Sequence, residues 1–178
     1  MDASLGTIER SQSARKEAIF LFINLAKNQS SRWPYLIGNS GSGKTYMLAC
    51  LANDVTKKRG QGAFINTGTV LEDLKGKAIK NKPAFDELFD KLAKASVLVF
   101  DEFGNEFKSE YVYTTILFPL LSARDKAGLV TAFASDFTLE QVVGMYQAKI
   151  GPERAAQLRN LLKRKCEKEI DVSGVVLH

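Results

Sequence analysis

Apolar positions along this chain follow two different periods. Uninterrupted runs occur at Trp33-Pro34-Tyr35-Leu36-Ile37, Val97-Leu98-Val99-Phe100 and Leu129-Val130-Thr131-Ala132-Phe133-Ala134, with a weaker one at Ala63-Phe64-Ile65-Asn66-Thr67. Continuous runs of this length read as strands covered on both faces. Between them the spacing turns helical. Residues 8–28 place Ile19, Phe22, Ile23 and Ala26 on one stripe, and the stretch from Lys44 does the same with Leu48, Leu51, Ala52 and Val55. Thr69 with Glu72 has capping-box spacing and predicts a helix with Leu71, Leu74 and Ala78 inward. Pro83 predicts the start of another, carrying Phe85, Leu88, Phe89 and Leu92. Residues 110–126 read as a helix interrupted at Pro119, Thr138 with Gln141 caps a helix bearing Leu139, Val142, Val143 and Tyr146, and residues 152–165 form the last helix before a strand near 169–172. Strands alternating with helices imply a parallel sheet with helices on both faces.

Composition narrows this picture. With 178 residues and 45% hydrophobic content the chain suits one domain with a substantial core. No run approaches the roughly 20 apolar residues needed to cross a bilayer, and Met-Asp-Ala-Ser-Leu does not begin a secretory signal, so a cytoplasmic location without membrane contact is expected. Cys50 and Cys166 are too few and too far apart for a disulfide framework or a zinc site. His178 is the sole histidine, which leaves Asp, Glu, Lys, Arg and a bound metal as the sources of chemistry. The net charge of +5 is compatible with a polyanionic partner without demanding one.

The chemistry begins after the first predicted strand. Gly38, Asn39, Ser40, Gly41, Ser42, Gly43, Lys44 and Thr45 match the phosphate-loop pattern G-x-x-x-x-G-K-S/T and are followed by Tyr46 in the next helix. Glycines let the main chain curl so that successive N–H groups face a polyanion, and the helix start adds partial positive charge. Lys44 would reach the outer phosphates, while the Thr45 hydroxyl suits Mg²⁺, a hard cation that takes oxygen ligands. This pattern implies binding of a nucleoside triphosphate, ATP, with Mg²⁺.

A second signal is the abrupt change from Val97-Leu98-Val99-Phe100 to Asp101-Glu102. In open α/β sheets ligands gather at the carboxyl ends of the strands, which brings this pair and Ser135-Asp136 toward the loop. Asp101 suits the Mg²⁺ already touched by Thr45, and Glu102 suits a base that orients and deprotonates an attacking water. Asp136 reads equally as a polar group at the third phosphate or as the cap of the helix that follows it. Facing the phosphate, its charge would repel unless a metal, a lysine or a proton intervened.

In order along the chain, the loop, Val-Leu-Val-Phe-Asp-Glu-Phe-Gly-Asn-Glu from Val97, Phe118-Pro119-Leu120-Leu121, Thr131-Ala132-Phe133-Ala134-Ser135-Asp136-Phe137 and Glu169-Ile170-Asp171-Val172-Ser173-Gly174 resemble the AAA+ ATPase domain of DnaI/DnaC-type replicative helicase loaders, with IstB-type transposition ATPases as relatives. The resemblance implies a three-layer P-loop core with strand order 5-1-4-3-2, little or no C-terminal lid, and ATP held between neighbouring subunits through self-association. It makes Asp136 the γ-phosphate sensor, where the family usually has Asn, and points to Arg159 in the last helix as a finger entering the neighbour's site. Lys163 stands one turn later without the planar fork of arginine.

Residues 1–30 then read as an N-terminal helix and linker and 31–178 as the ATPase domain, too little preceding chain for the separate helicase-binding domain that loaders usually carry. The implied activity is ATP hydrolysis in primosome assembly, with a replicative helicase and single-stranded DNA as partners. Lys75, Lys77 and Lys80, with Lys82 beyond, form a basic stripe where initiator-like members of the superfamily touch single-stranded DNA, and no stacking aromatic is evident beside it. A transposition helper, a small-molecule P-loop kinase and a nucleotide-binding module without turnover are the alternative readings.

Overall fold

A computed structural model describes residues 13–28 and 30–173. The elements run α1 Ser13–Ala26, β1 Tyr35–Ile37, α2 Lys44–Arg59, β2 Gly62–Asn66, α3 Thr67–Lys80, α4 Lys82–Lys94, β3 Val97–Asp101, α5 Glu110–Val112, a π-helical turn Tyr113–Leu117, α6 Phe118–Lys126, β4 Val130–Ser135, α7 Leu139–Ile150, α8 Pro152–Lys165 and β5 Glu169–Asp171. Part of the N-terminal helix expected over residues 8–28 lies outside the described residues, as do Gly174 and His178.

All neighbouring strands are parallel, in the order β2-β3-β4-β1-β5. This is the expected order read from the other edge. Side chains of each strand alternate between two cores, as the period of two requires. Val97 and Val99 face α1 and α2 together with Leu36, Ala132 and Ala134, whereas Leu98 and Phe100 join Tyr35 and Phe133 under the helices that follow β2. Tyr35, Phe100, Phe103 and Phe133 form an aromatic cluster with centroid separations from 4.7 to 6.4 Å. That cluster lies directly beneath the strand tips that carry the site.

Two local expectations need correction. The α3 cap is Asn66, whose side chain accepts the Thr69 N–H at 3.1 Å, so Thr69 is inside the helix rather than before it. An asparagine side chain in extended backbone fills the cap role as well as Thr does, and the helix therefore starts directly at the end of β2. Pro119 does not interrupt its helix either. The preceding π turn ends with the Phe118 N–H bonded to the Tyr113 carbonyl, five residues back, and the proline takes its place in the first turn of α6. The extra residue in that turn absorbs the missing N–H and ring clash without breaking the helix. The Thr138–Gln141 capping box on α7 is present in both directions, and α8 spans the expected 152–165.

Candidate active site

β1 lies beside β4, with Ile37 in register with Ser135, and β4 lies beside β3. The loop after β1 therefore opens next to the tips of β4 and β3, where the crossover direction of the sheet changes. A cleft of about 610 Å³ results, lined by the loop from Ser40 to Tyr46 and by Asp101, Glu102, Ser135 and Asp136. Another cleft, of about 580 Å³ between α1 and β5, is lined by Phe20, Leu21, Trp33 and Ile170 and contains no phosphate-binding element. The nucleotide reading attaches to the first.

The loop is shaped by backbone that only glycine adopts freely. Gly41 and Gly43 have φ of 78° and 88°, and a Cβ on Gly38 would come within 2.8 Å of Ser42 Oγ. Ser42 Oγ is itself buried in this loop without a hydrogen-bond partner. The Thr45 hydroxyl donates to Asp101 Oδ1 at 3.0 Å, so the two oxygen groups expected to hold a metal already meet. Burial raises the Asp101 carboxyl above its ordinary range, against the Thr45 and Glu102 hydrogen bonds that pull it down. Among the described residues no group of three or more His, Cys, Asp or Glu forms a metal site by itself. Thr45 and Asp101 offer the hard oxygen ligands that Mg²⁺ would take.

Lys44 is buried, and its ammonium donates to the Gly38 carbonyl, to the Asn39 carbonyl at 3.0 Å and to Asp136 Oδ1 at 2.8 Å. This excludes the helix-cap reading of Asp136. Thr138, not Asp136, caps α7, and Asp136 turns into the cleft onto the lysine. The neighbouring Ser135 is buried, and its hydroxyl is engaged elsewhere, donating to the Phe103 carbonyl at 2.6 Å and accepting the Phe137 N–H at 3.0 Å.

Glu102 sits in left-handed backbone, φ 57°, which a residue with a Cβ occupies at a cost. Its surroundings impose it. The Glu102 N–H donates to Asp101 Oδ1 at 3.1 Å, the next residue's N–H donates to the Ala134 carbonyl at 2.9 Å, and Asn66 Nδ2 donates to Glu102 Oε2 at 2.6 Å. Gly104 continues the turn with φ 100°, where a Cβ would come within 2.9 Å of the Phe137 ring. Buried Glu106 closes the turn, accepting the Gly104 N–H and the Tyr146 hydroxyl, each at 2.6 Å. Burial together with this carboxylate drives the Tyr146 phenol well above its usual range.

Asn66 and Glu106 were not singled out from the sequence. Asn66 had a signal, being the polar residue that ends an apolar strand, paired in register with Asp101. Glu106 had none, because its burial depends on α7 folding over it.

Arg159 does not line the cleft of its own chain. Its Nε donates to Glu140 at 3.0 Å, and Lys163 approaches the other oxygen of Glu140 at 2.6 Å. Hydrogen bonds from Lys163 and then Arg159 hold the Glu140 carboxyl below its ordinary range.

The lysine stripe is less positive than its lysine count suggests. Lys75 pairs with Glu72 at 3.3 Å and Lys77 pairs with Asp73, while Lys80 is exposed at the end of α3. An aromatic that was not evident from the sequence lies beside the stripe. Phe107 is 67% exposed, and the Lys75 ammonium lies 5.9 Å from its ring centroid. Phe107 follows the turn after β3, distant in sequence from α3, so only folding brings the two together. Phe85 and Phe89 stack on each other at 5.6 Å against the core, as expected.

Comparison with known proteins bears on the fold that carries this cleft. A crystal structure of DnaI superposes with a TM-score of 0.80 at 25% sequence identity, covering 96% of this chain and 90% of that one. The fold is that of an AAA+ P-loop domain. A crystal structure of the DnaC helicase loader matches with a TM-score of 0.76 at 16% identity, covering 96% of each chain. The replicative helicase loader DnaI of Bacillus subtilis (strain 168) is 27% identical over 108 residues, 61% of this chain. The match spans only 34% of that protein's length. No protein-family model matches the chain. In sequence the chain resembles DnaI, and in fold it resembles both DnaI and DnaC. Among the described residues no helix is long and apolar enough to cross a membrane.

Proposed function

We propose that this chain is the ATPase domain of a replicative helicase loader, binding ATP with Mg²⁺, hydrolysing it to ADP and phosphate, and acting on single-stranded DNA during primosome assembly. The observation that carries the reading is the convergence in one cleft of the phosphate loop, the Thr45–Asp101 pair and Glu102, on a domain that resembles DnaI over nearly its whole length.

Each residue then has a task. The amides of the loop from Gly38 to Gly43 cradle phosphate oxygens, and Tyr46 lines the cleft beside them. Thr45 and Asp101 would hold Mg²⁺, whose charge would offset that of the phosphates. Lys44 releases some of its present acceptors and donates to the outer phosphates. Glu102, held by Asn66 at the cleft edge, takes the proton of the attacking water. Arg159, released from Glu140, offers its guanidinium to the cleft of a neighbouring protomer, and so couples self-association to turnover. Lys75, Lys77 and Lys80 follow the phosphates of a single strand, with Phe107 as a platform for a base. The replicative helicase itself is the partner named for the loaders that this domain resembles.

Titration with ATP and Mg²⁺ tests the core of the reading. The wild-type protein should bind saturably and Lys44→Ala should not, while Glu102→Gln should bind ATP yet release no phosphate. Stimulation of phosphate release by single-stranded DNA supports a loader or a transposition helper. A phosphorylated small molecule as product would instead establish a kinase.

A further inference from the structure

The ion pair between Lys44 and Asp136 bears on which nucleotide the cleft prefers. An ammonium has three N–H donors, and here they go to Gly38, Asn39 and Asp136. Two of these acceptors are neutral carbonyls that a phosphate oxygen can replace without separating charges. The third is a carboxylate. Lys44 is nearly enclosed, with 9% of its side chain exposed, while Asp136 keeps 43% exposure at the tip of β4. The pair is thus partly shielded from water, where opposite charges interact more strongly than at an open surface.

The inner and outer phosphates of a bound nucleotide meet this pair unequally. The curled loop and the start of α2 surround the inner phosphates with amides, and Thr45 with Asp101 serves the metal beside them. The outermost phosphate must enter where the strand tips converge, beside Asp101, Glu102 and Asp136, with Lys44 as the cation of this chain that reaches them. Even where Lys44 gives up only its carbonyl acceptors, Asp136 competes with that phosphate for the ammonium and faces its new negative charge. A diphosphate leaves the pair largely intact.

We infer that Asp136 is a specificity-determining residue that biases the isolated protomer toward ADP over ATP by holding the Lys44 ammonium the third phosphate requires. The inference rests on the nucleotide-binding reading above. It also gives the neighbouring protomer a defined task, since a cation from outside the chain would restore the charge balance that Asp136 removes.

The test is a comparison of binding ratios. Calorimetric titrations with ADP and with AMPPCP, a triphosphate analogue that cannot be hydrolysed, are run with Mg²⁺ on the wild type and on Asp136→Asn, at a protein concentration where both are monomeric. Asparagine keeps the size and an acceptor oxygen for Lys44 while removing the charge. The expected result is tighter ADP binding in the wild type and a shift of about tenfold toward the triphosphate in the variant, mainly through improved AMPPCP affinity. Asp136→Ser, which removes the same charge with a different shape, should shift the ratio in the same direction. An unchanged ratio in both variants, with both nucleotides bound, overturns the role of Asp136 and leaves the nucleotide site standing. Failure of both nucleotides to bind the folded wild type overturns both.

Discussion

Replacing Ser135 by alanine separates architecture from chemistry at this site. Ser135 is 1% exposed, and its hydroxyl joins two strand tips, donating to the Phe103 carbonyl beside Glu102 and accepting the Phe137 N–H beside Asp136. Alanine removes one oxygen and leaves two main-chain groups without that partner. An orphaned buried polar group costs about 1–3 kcal/mol, and some relief by backbone adjustment leaves an expected loss of about 2 kcal/mol. For a chain of 178 residues this lowers the melting midpoint by about 4–8 °C, read by circular dichroism without nucleotide. The functional effect follows from what the clamp holds. The Gly38 N–H meets the Ser135 carbonyl at 3.3 Å and Lys44 meets Asp136, but neither bond uses the Ser135 hydroxyl, so the KM for ATP should change less than kcat. Glu102 sits in strained backbone one residue before Phe103, so kcat for phosphate release should fall. An unchanged midpoint with lost turnover would refute the reasoning, because the hydroxyl would then be acting on the nucleotide or its water. An unchanged midpoint with normal turnover would show that the clamp holds nothing.

Further expectations follow from other buried groups. Arg124 is fully buried and donates to Thr131 Oγ1 at 2.9 Å and to the carbonyls of Leu92, Ala95 and Val130 at 2.7, 2.9 and 2.5 Å. Burial pulls the guanidinium down to about 9, still charged at neutral pH. Arg124→Met should therefore cost about 3 kcal/mol or more in urea unfolding by orphaning these acceptors, and a loss below about 1 kcal/mol would contradict it. The Cys166 thiol is pushed up by burial, so a thiol reagent should label it only at the rate of unfolding, and prompt labelling of the folded protein would show the site to be open. Asp101 has a folded pKa raised mainly by burial, so its protonated form favours the fold at low pH and that contribution is lost as pH rises through the folded value. Asp101→Asn should accordingly melt no lower than wild type at neutral pH without nucleotide, yet lose the rise in melting temperature caused by ATP with Mg²⁺ but not by ATP with EDTA. For the wild type that rise should begin to fade above the ordinary carboxylate range as pH is lowered.

Local sequence determined most of the features whose physics is local, although Asn66 rather than Thr69 caps α3. Glycines at 38, 41 and 43 and the Lys-Thr pair specify a curled phosphate loop because the required backbone and donors are adjacent in the chain. Continuous apolar runs announced doubly covered strands, and Thr138 with Gln141 announced a helix start, since a cap bonds only three residues away. Tertiary structure decided what lies opposite what. It turned Asp136 onto Lys44 instead of onto a helix end, buried Glu106 against Tyr146, set Phe107 beside Lys75, and made Asn66 the partner of Glu102. These contacts join residues that are remote in the chain or that depend on a neighbouring element being in place. No periodicity or spacing encodes them, because the charge and burial that give each side chain its role exist only after the sheet has brought its strand tips together.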